Sequence, residues 1–208
     1  MTGAPPDGRL LRGERARRAL VAATLTIIER DGLCRVTHRN VTREADLPPS
    51  SAAYHFSSIS DLLEQALLWA DQQAADSLGR IGRGPDPVAA FAAWLVEDLV
   101  EQRSRVIAEY ELFLYAARVP SMRPTAVHWL TDLERLVSTW TTDTRAVATI
   151  RAYVDGMVLQ ALASGQQPEV ATVETTLRYL VRGSAPGEAR DLAVGARRPA
   201  GPVAGTLD

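Results

Sequence analysis

Between Thr37 and Phe56 the chain reads THRNVTREADLPPSSAAYHF, a compact set of groups able to recognise another molecule. Thr37 and His38 stand where a short helix can begin, and the unpaired N–H groups at such an end favour an anion such as phosphate. Arg39 carries a planar fork of donors that matches the two acceptors on a guanine edge. In the run that follows Leu47, Pro49, Ser50, Ser51, Ala52 and Tyr54 are small or polar. Serine hydroxyls can donate or accept at base edges, Ala52 can touch a thymine methyl, and Tyr54 can reach a base or a phosphate. His55 closes the set, although its place beside Phe56 also suits packing behind the helix. The chemistry these types support is reversible recognition of a polyanion.

Bond-making chemistry finds no comparable set. Three His and the single Cys34 show no metal-ligand spacing and no nucleophile–base pairing, and no Gly-rich phosphate loop follows a strand. No catalytic residue, metal site or cofactor is expected, and the chain is not read as an enzyme. Cys34 cannot pair within the chain, which fits a reducing compartment, and is expected to be a packing residue. All 23 basic residues are Arg. Residues 1–58 hold nine Arg against six acids, about +3, which leaves about −5 for the remainder of a chain whose net charge is −2. A basic end on an acidic body suits a polyanion-binding head. No apolar run reaches the roughly 18–20 residues of a membrane span, and the first residues lack the apolar core of a secretion signal, so a cytoplasmic protein is expected.

The elements that must position this set are helical throughout. Apolar residues recur at steps of three and four between Pro and Gly breaks, and no alternating strand pattern is present. The spacing predicts an all-α fold of about nine helices, over about 13–30, 38–45, 49–54, 60–79, 86–102, 104–118, 123–140, 143–164 and 168–182. Thr37 is the expected cap of the second, Pro49 the first residue of the third, and Asp46 a candidate for left-handed backbone in the turn between them. Two short helices joined by a tight turn and braced by a preceding helix make a helix-turn-helix, whose second helix can enter a major groove. The division expected is a flexible arm over 1–12, a DNA-binding domain over 13–58, a helical effector-binding and dimerisation domain over 59–183, and a disordered tail over 184–208.

Residues 18–67, RALVAATLTIIERDGLCRVTHRNVTREADLPPSSAAYHFSSISDLLEQAL, resemble the DNA-binding domain of the tetracycline-repressor family of bacterial transcriptional regulators. The resemblance rests on the first helix ending in IIERDG, on Val36-Thr37, on Ala45, and on Tyr54-His55-Phe56 followed by Asp61-Leu62. It implies a repressor that binds a palindromic operator in double-stranded DNA as a homodimer and is released by a small molecule of unknown identity. The chain departs from the family pattern at Thr42, Asp46 and Pro48. It also has Ala53 and Ile59 where the family usually places a phosphate-contacting Tyr and Lys. The alternative is a helical dimeric ligand-binding or interaction protein that never touches DNA.

The remaining expectations concern the body. Trp69, Trp94, Tyr110, Phe113 and Trp129 lie near Arg118, His128, Glu97 and Glu109, a mixture that serves a small-molecule pocket and a core equally well. The residues taken for the ligand are Trp69, Trp94, Tyr110, Phe113, Arg118, His128 and Trp129. In the last two helices Val147, Ile150, Val154, Met157 and Ala161, with Val173, Leu177 and Leu180, step like the seam of a coiled coil. They are the expected dimer interface.

Overall fold

A computed structural model describes residues 8–183. Residues 1–7 of the arm expected over 1–12, and the tail expected over 184–208, lie outside the described residues. Among the described residues there are nine α-helices and no strand: α1 (Gly8–Asp31), α2 (His38–Glu44), α3 (Ser51–His55), α4 (Ile59–Gly82), α5 (Pro87–Glu101), α6 (Arg103–Arg118), α7 (Arg123–Val137), α8 (Thr144–Ser164) and α9 (Val170–Arg182). Single 3₁₀ turns occupy Leu33–Arg35 and Pro120–Met122. Helix α1 begins five residues before the expected position 13, so residues 8–12, assigned to a flexible arm, are helical. The run Arg9-Leu10-Leu11-Arg12 consists of strong helix formers, and Gly13 alone does not interrupt it.

Local chemistry sets the boundaries. Helix α1 ends at Gly32, whose φ of 85° is open to a residue without Cβ. The Thr37 hydroxyl caps α2 by accepting the Asn40 N–H at 3.1 Å. Asp46 does take left-handed backbone, with φ 52°. The Leu47 N–H then reaches back to the Thr42 carbonyl at 2.9 Å, closing the turn. Pro49 is not the first residue of α3: Pro49 and Ser50 form a turn in which the Pro48 carbonyl accepts the Ser51 N–H at 2.9 Å, and the helix starts at Ser51. At α4 the Ser58 hydroxyl accepts the Asp61 N–H at 3.1 Å, while the Asp61 carboxylate accepts the Ser57 N–H at 2.9 Å. Each group satisfies an N–H that a helix start would leave unpaired.

Two apolar cores share helices α4 and α6. The first gathers Leu20 and Ile27 of α1, Val41 of α2, Ala52 of α3, Phe56, and Leu62, Leu63, Ala66 and Leu67 of α4, and it takes Leu112 and Ala116 from α6. The second joins Leu78 of α4 to Phe91 and Leu95 of α5, Val137 of α7, Ile150 and Val154 of α8, and Leu177 of α9. Helix α4 therefore runs from the head into the body, and α6 touches both. Helix α8 is long and apolar enough to cross a membrane by length and composition. Here it is a bundle helix, with Val147, Ile150, Val154, Val158 and Ala161 buried by the chain itself.

Candidate nucleic-acid interface and effector cavity

Helix α3 stands on the head with one face turned in and one turned out. Ala52 is fully buried beneath it, whereas Pro49, Ser50, Ala53 and Tyr54 are exposed, Tyr54 at 79%. Ala52 is thus a correction to the expected contact set: its methyl belongs to the head core, with Val41 and Phe56 among its members, and faces no solvent. Thr37 and Arg39 are exposed and Ser51 is half-buried. His38 is half-buried with its Nε2 enclosed and without a hydrogen-bond partner. His55 is half-buried and sets its ring edge-on to Tyr54, 4.9 Å between centroids. Ile59, at the position where a basic residue would reach the backbone, packs instead against the head core.

The head is braced from two sides. Arg30 of α1 donates through both terminal nitrogens to Glu44 of α2, at 3.2 and 3.0 Å. The Arg17 guanidinium lies 5.1 Å from the centre of the Phe56 ring. Below, the Leu33 N–H donates to the Glu111 carboxylate of α6 at 2.7 Å, a direct link between the turn after α1 and the body. Cys34, expected in the core, is exposed, because the 3₁₀ turn aims Leu33 inward and Cys34 outward.

Between α4, α5, α6, α7 and α8 lie two adjoining cavities of about 90 and 170 Å³ that share Glu109, Tyr110, Trp129 and Asp155. Trp94 lines the first and Phe113 the second. Trp94, Tyr110, Phe113 and Trp129 are therefore brought together as the sequence suggests. Trp69 and Arg118 are not: Trp69 is half-exposed on α4 near Arg17 and Val21, and Arg118 is exposed at the end of α6. His128 lies outside the cavity walls, bonded through Nδ1 to Asp71, which does line the first cavity.

What the aromatic pattern concealed is the charge of the walls. Asp71, Asp98, Glu109, Asp132 and Asp155 all border the first cavity, against Arg105 as the single basic lining residue among the described residues. Arg105 is divided between two of them: it donates to Asp98 and, at 2.7 Å, to Glu109. The Tyr110 hydroxyl donates to Asp155 at 3.1 Å. Burial disfavours the charged form, and it pushes the Glu109 carboxyl up to about 7 despite the neighbouring guanidinium. Burial likewise raises Asp71, Asp98 and Asp155 above the usual carboxylate range, and raises the Tyr110 phenol. An acid with apolar neighbours on two or three sides reads in sequence like any amphipathic-helix acid, so only Glu109 could be singled out beforehand.

The expected dimer seam is corrected too. Val147, Ile150, Val154, Ala161, Val173 and Leu177 are buried within the chain's own second core, and Met157 and Leu180 are half-buried against it. The large β-branched residues of α8 face inward. Its exposed residues include Ala148, Ala152, Leu159 and Ala163, and those of α9 include Thr172, Thr175 and Tyr179. Leu159 is 47% and Tyr179 72% exposed.

Comparison with known proteins agrees with this geometry. Residues 83–183 match the family described as tetracyclin repressor-like, C-terminal domain. The multidrug binding protein EbrR, solved in complex with ethidium, is 30% identical, with a TM-score of 0.70 over 79% of this chain and 98% of EbrR. A tetracycline-repressor family member from Streptomyces coelicolor is 29% identical, with a TM-score of 0.67 over 79% and 97% of the two chains. The nicotine-responsive transcriptional repressor HdnoR of Paenarthrobacter nicotinovorans is 24% identical over 126 residues, 59% of this chain, and the match spans 65% of HdnoR's length. By this similarity in sequence and in fold, the chain belongs to the tetracycline-repressor family of transcriptional regulators.

Proposed function

We propose that this regulator is a cytoplasmic homodimeric repressor that binds a palindromic operator through α3 and is released by a small aromatic cation. The observation that carries the ligand class is the wall composition: five carboxylates around an aromatic cavity, with one guanidinium shared between two of them. An aromatic face and a buried carboxylate both favour an organic cation that carries aromatic rings. Ethidium and protonated nicotine, named with two of the relatives, are both cations that carry aromatic rings.

The cavities also suggest how release would work. Ligand pockets typically measure about 300–1,000 Å³, more than the 90 and 170 Å³ present here. Asp71, Ala74 and Leu78 of α4 face Trp129, Asp132 and Leu133 of α7 across the first cavity. A larger ligand must therefore part α4 from α7. Helix α4 carries Leu62, Leu63, Ala66 and Leu67 into the head core, so its displacement moves the head. The ligand then selects a state in which the two heads no longer match the operator, and its affinity for that state sets the limit of the effect. The exposed residues of α8 and α9 supply the dimer contact, which places two α3 helices for two half-sites about one helical turn apart.

The test is fluorescence anisotropy with the intergenic DNA beside the protein's own gene, at two salt concentrations and with random DNA as competitor. Tetraphenylphosphonium serves as the cation, since it does not intercalate as ethidium does. Competitor-resistant binding, weakened by the cation, is the expected result. Arg39→Ala should cost about 1–3 kcal/mol of operator affinity. Binding no tighter than to random DNA would overturn the operator reading. Unchanged DNA binding together with unchanged Trp94 and Trp129 fluorescence on adding the cation would overturn the ligand class.

A further inference from the structure

Helices α4 and α7 also meet at a second constellation, on the His128 side of the cavity wall. His128 and Asp132, four residues apart, share one face of α7, and Asp71 approaches them from α4. One donor atom from each lies within 4.8 Å of the other two. The His128 Nδ1 is 2.6 Å from Asp71 Oδ2 and 3.8 Å from Asp132 Oδ2. We propose that Asp71, His128 and Asp132 form a binding site for a divalent transition-metal cation that ties α4 to α7.

Two features separate this cluster from an ordinary group of surface acids. Asp71 and Asp132 are 4% and 5% exposed, yet Asp71 Oδ1 and Asp132 Oδ2 are enclosed without a hydrogen-bond partner. Buried carboxylate oxygens are rarely left so, because the lost hydration must be replaced by a donor or a cation. The surrounding positive charge is also too small. Arg135 binds the other oxygen of Asp132 and His128 serves Asp71, while Arg105, the remaining cation at this wall, is engaged by Asp98 and Glu109.

The donor set suits a metal of intermediate hardness. One imidazole nitrogen and two carboxylate oxygens bind Zn²⁺, Mn²⁺ or Co²⁺, and three protein ligands leave a position for water or for a donor atom of an effector. With bonds of about 2.0–2.2 Å, atoms sharing a tetrahedral zinc lie about 3.4 Å apart. The 2.6 and 3.8 Å separations bracket that distance, and with all three donor atoms within 4.8 Å of one another a bound ion would draw the set together. Metal on Nδ1 requires Nε2 to carry the ring proton. The His128 side chain is 57% exposed, which gives the ion a route in. Arg135 acts as an outer partner, fixing the orientation of Asp132.

Isothermal titration of Zn²⁺ into untagged, chelator-treated protein near neutral pH tests the site without DNA or effector, so it stands apart from the repressor reading. The expected result is one Zn²⁺ per chain, unchanged in Cys34→Ser and His38→Ala, which remove an exposed thiol and another imidazole. His128→Ala and Asp132→Asn should each weaken binding by roughly tenfold or more. Thermal unfolding by circular dichroism gives a second readout. Zn²⁺ should raise the Tm of the parent chain and of Cys34→Ser, but not that of His128→Ala, which alters a half-exposed side chain and should fold. Equal Zn²⁺ affinity in the parent and His128→Ala, absence of saturable binding, or loss of binding in Cys34→Ser would each overturn the proposal.

Discussion

Replacing Glu109 by Gln tests the electrostatics of the cavity most directly. Glu109 is 7% exposed, and burial raises its carboxyl from 4.5 to about 7. The folded chain therefore holds this proton more tightly than the unfolded chain. The stability it confers is fully present below about pH 4.5, is lost as the pH rises through about 7, and does not return above it. At about 1.36 kcal/mol per pKa unit, the parent loses about 3 kcal/mol across that window from this group alone. Glutamine keeps the shape of the protonated acid and cannot ionise. Arg105 and Asp98, which face Glu109, and Glu29, which also raises it, are common to both chains, so most of their own pH dependence cancels in the difference. Glu109→Gln should thus gain about 3 kcal/mol on the parent between about pH 4.5 and 8, whatever their order at the acid end. Urea unfolding at several pH values, at equal protein concentration because dimerisation shifts apparent stability, measures it. A difference between the two chains that stays constant with pH would refute the reasoning.

Three other substitutions probe the framework. Ala52→Leu overpacks the seat of α3 and should destabilise the head by about 1–3 kcal/mol in thermal unfolding, rather than altering base preference. Gly32→Ala forces a Cβ onto a φ of 85° beside the Glu111 side chain, and a loss of about 1–2 kcal/mol in denaturant unfolding is expected. Leu159→Glu puts a charge among the exposed residues of α8 and should convert a dimer to a monomer in light scattering, whereas an unchanged mass would move the interface elsewhere.

The helix count, the helix-turn-helix and the family resemblance were legible in the sequence because each depends on local signals: Thr37 as a cap, Gly32 as a stop, Asp46 as a turn residue, and the three-and-four spacing of Leu, Ile and Val. Those signals act within a turn or two of chain and need no partner element. The face each residue would occupy was less accessible. Ala52 and Ala53 are adjacent and chemically identical, and only docking of α3 on the head core buries one and exposes the other. The spacing of Val147, Ile150 and Val154 marked an apolar face of α8, but whether that face meets α5 and α9 of the same chain or a second copy is decided by how the bundle closes. The acidic wall belongs wholly to tertiary structure. Asp71, Asp98, Glu109, Asp132 and Asp155 come from five helices, and the raised proton affinity of Asp71, Asp98, Glu109 and Asp155 arises from burial that none of those helices could provide alone.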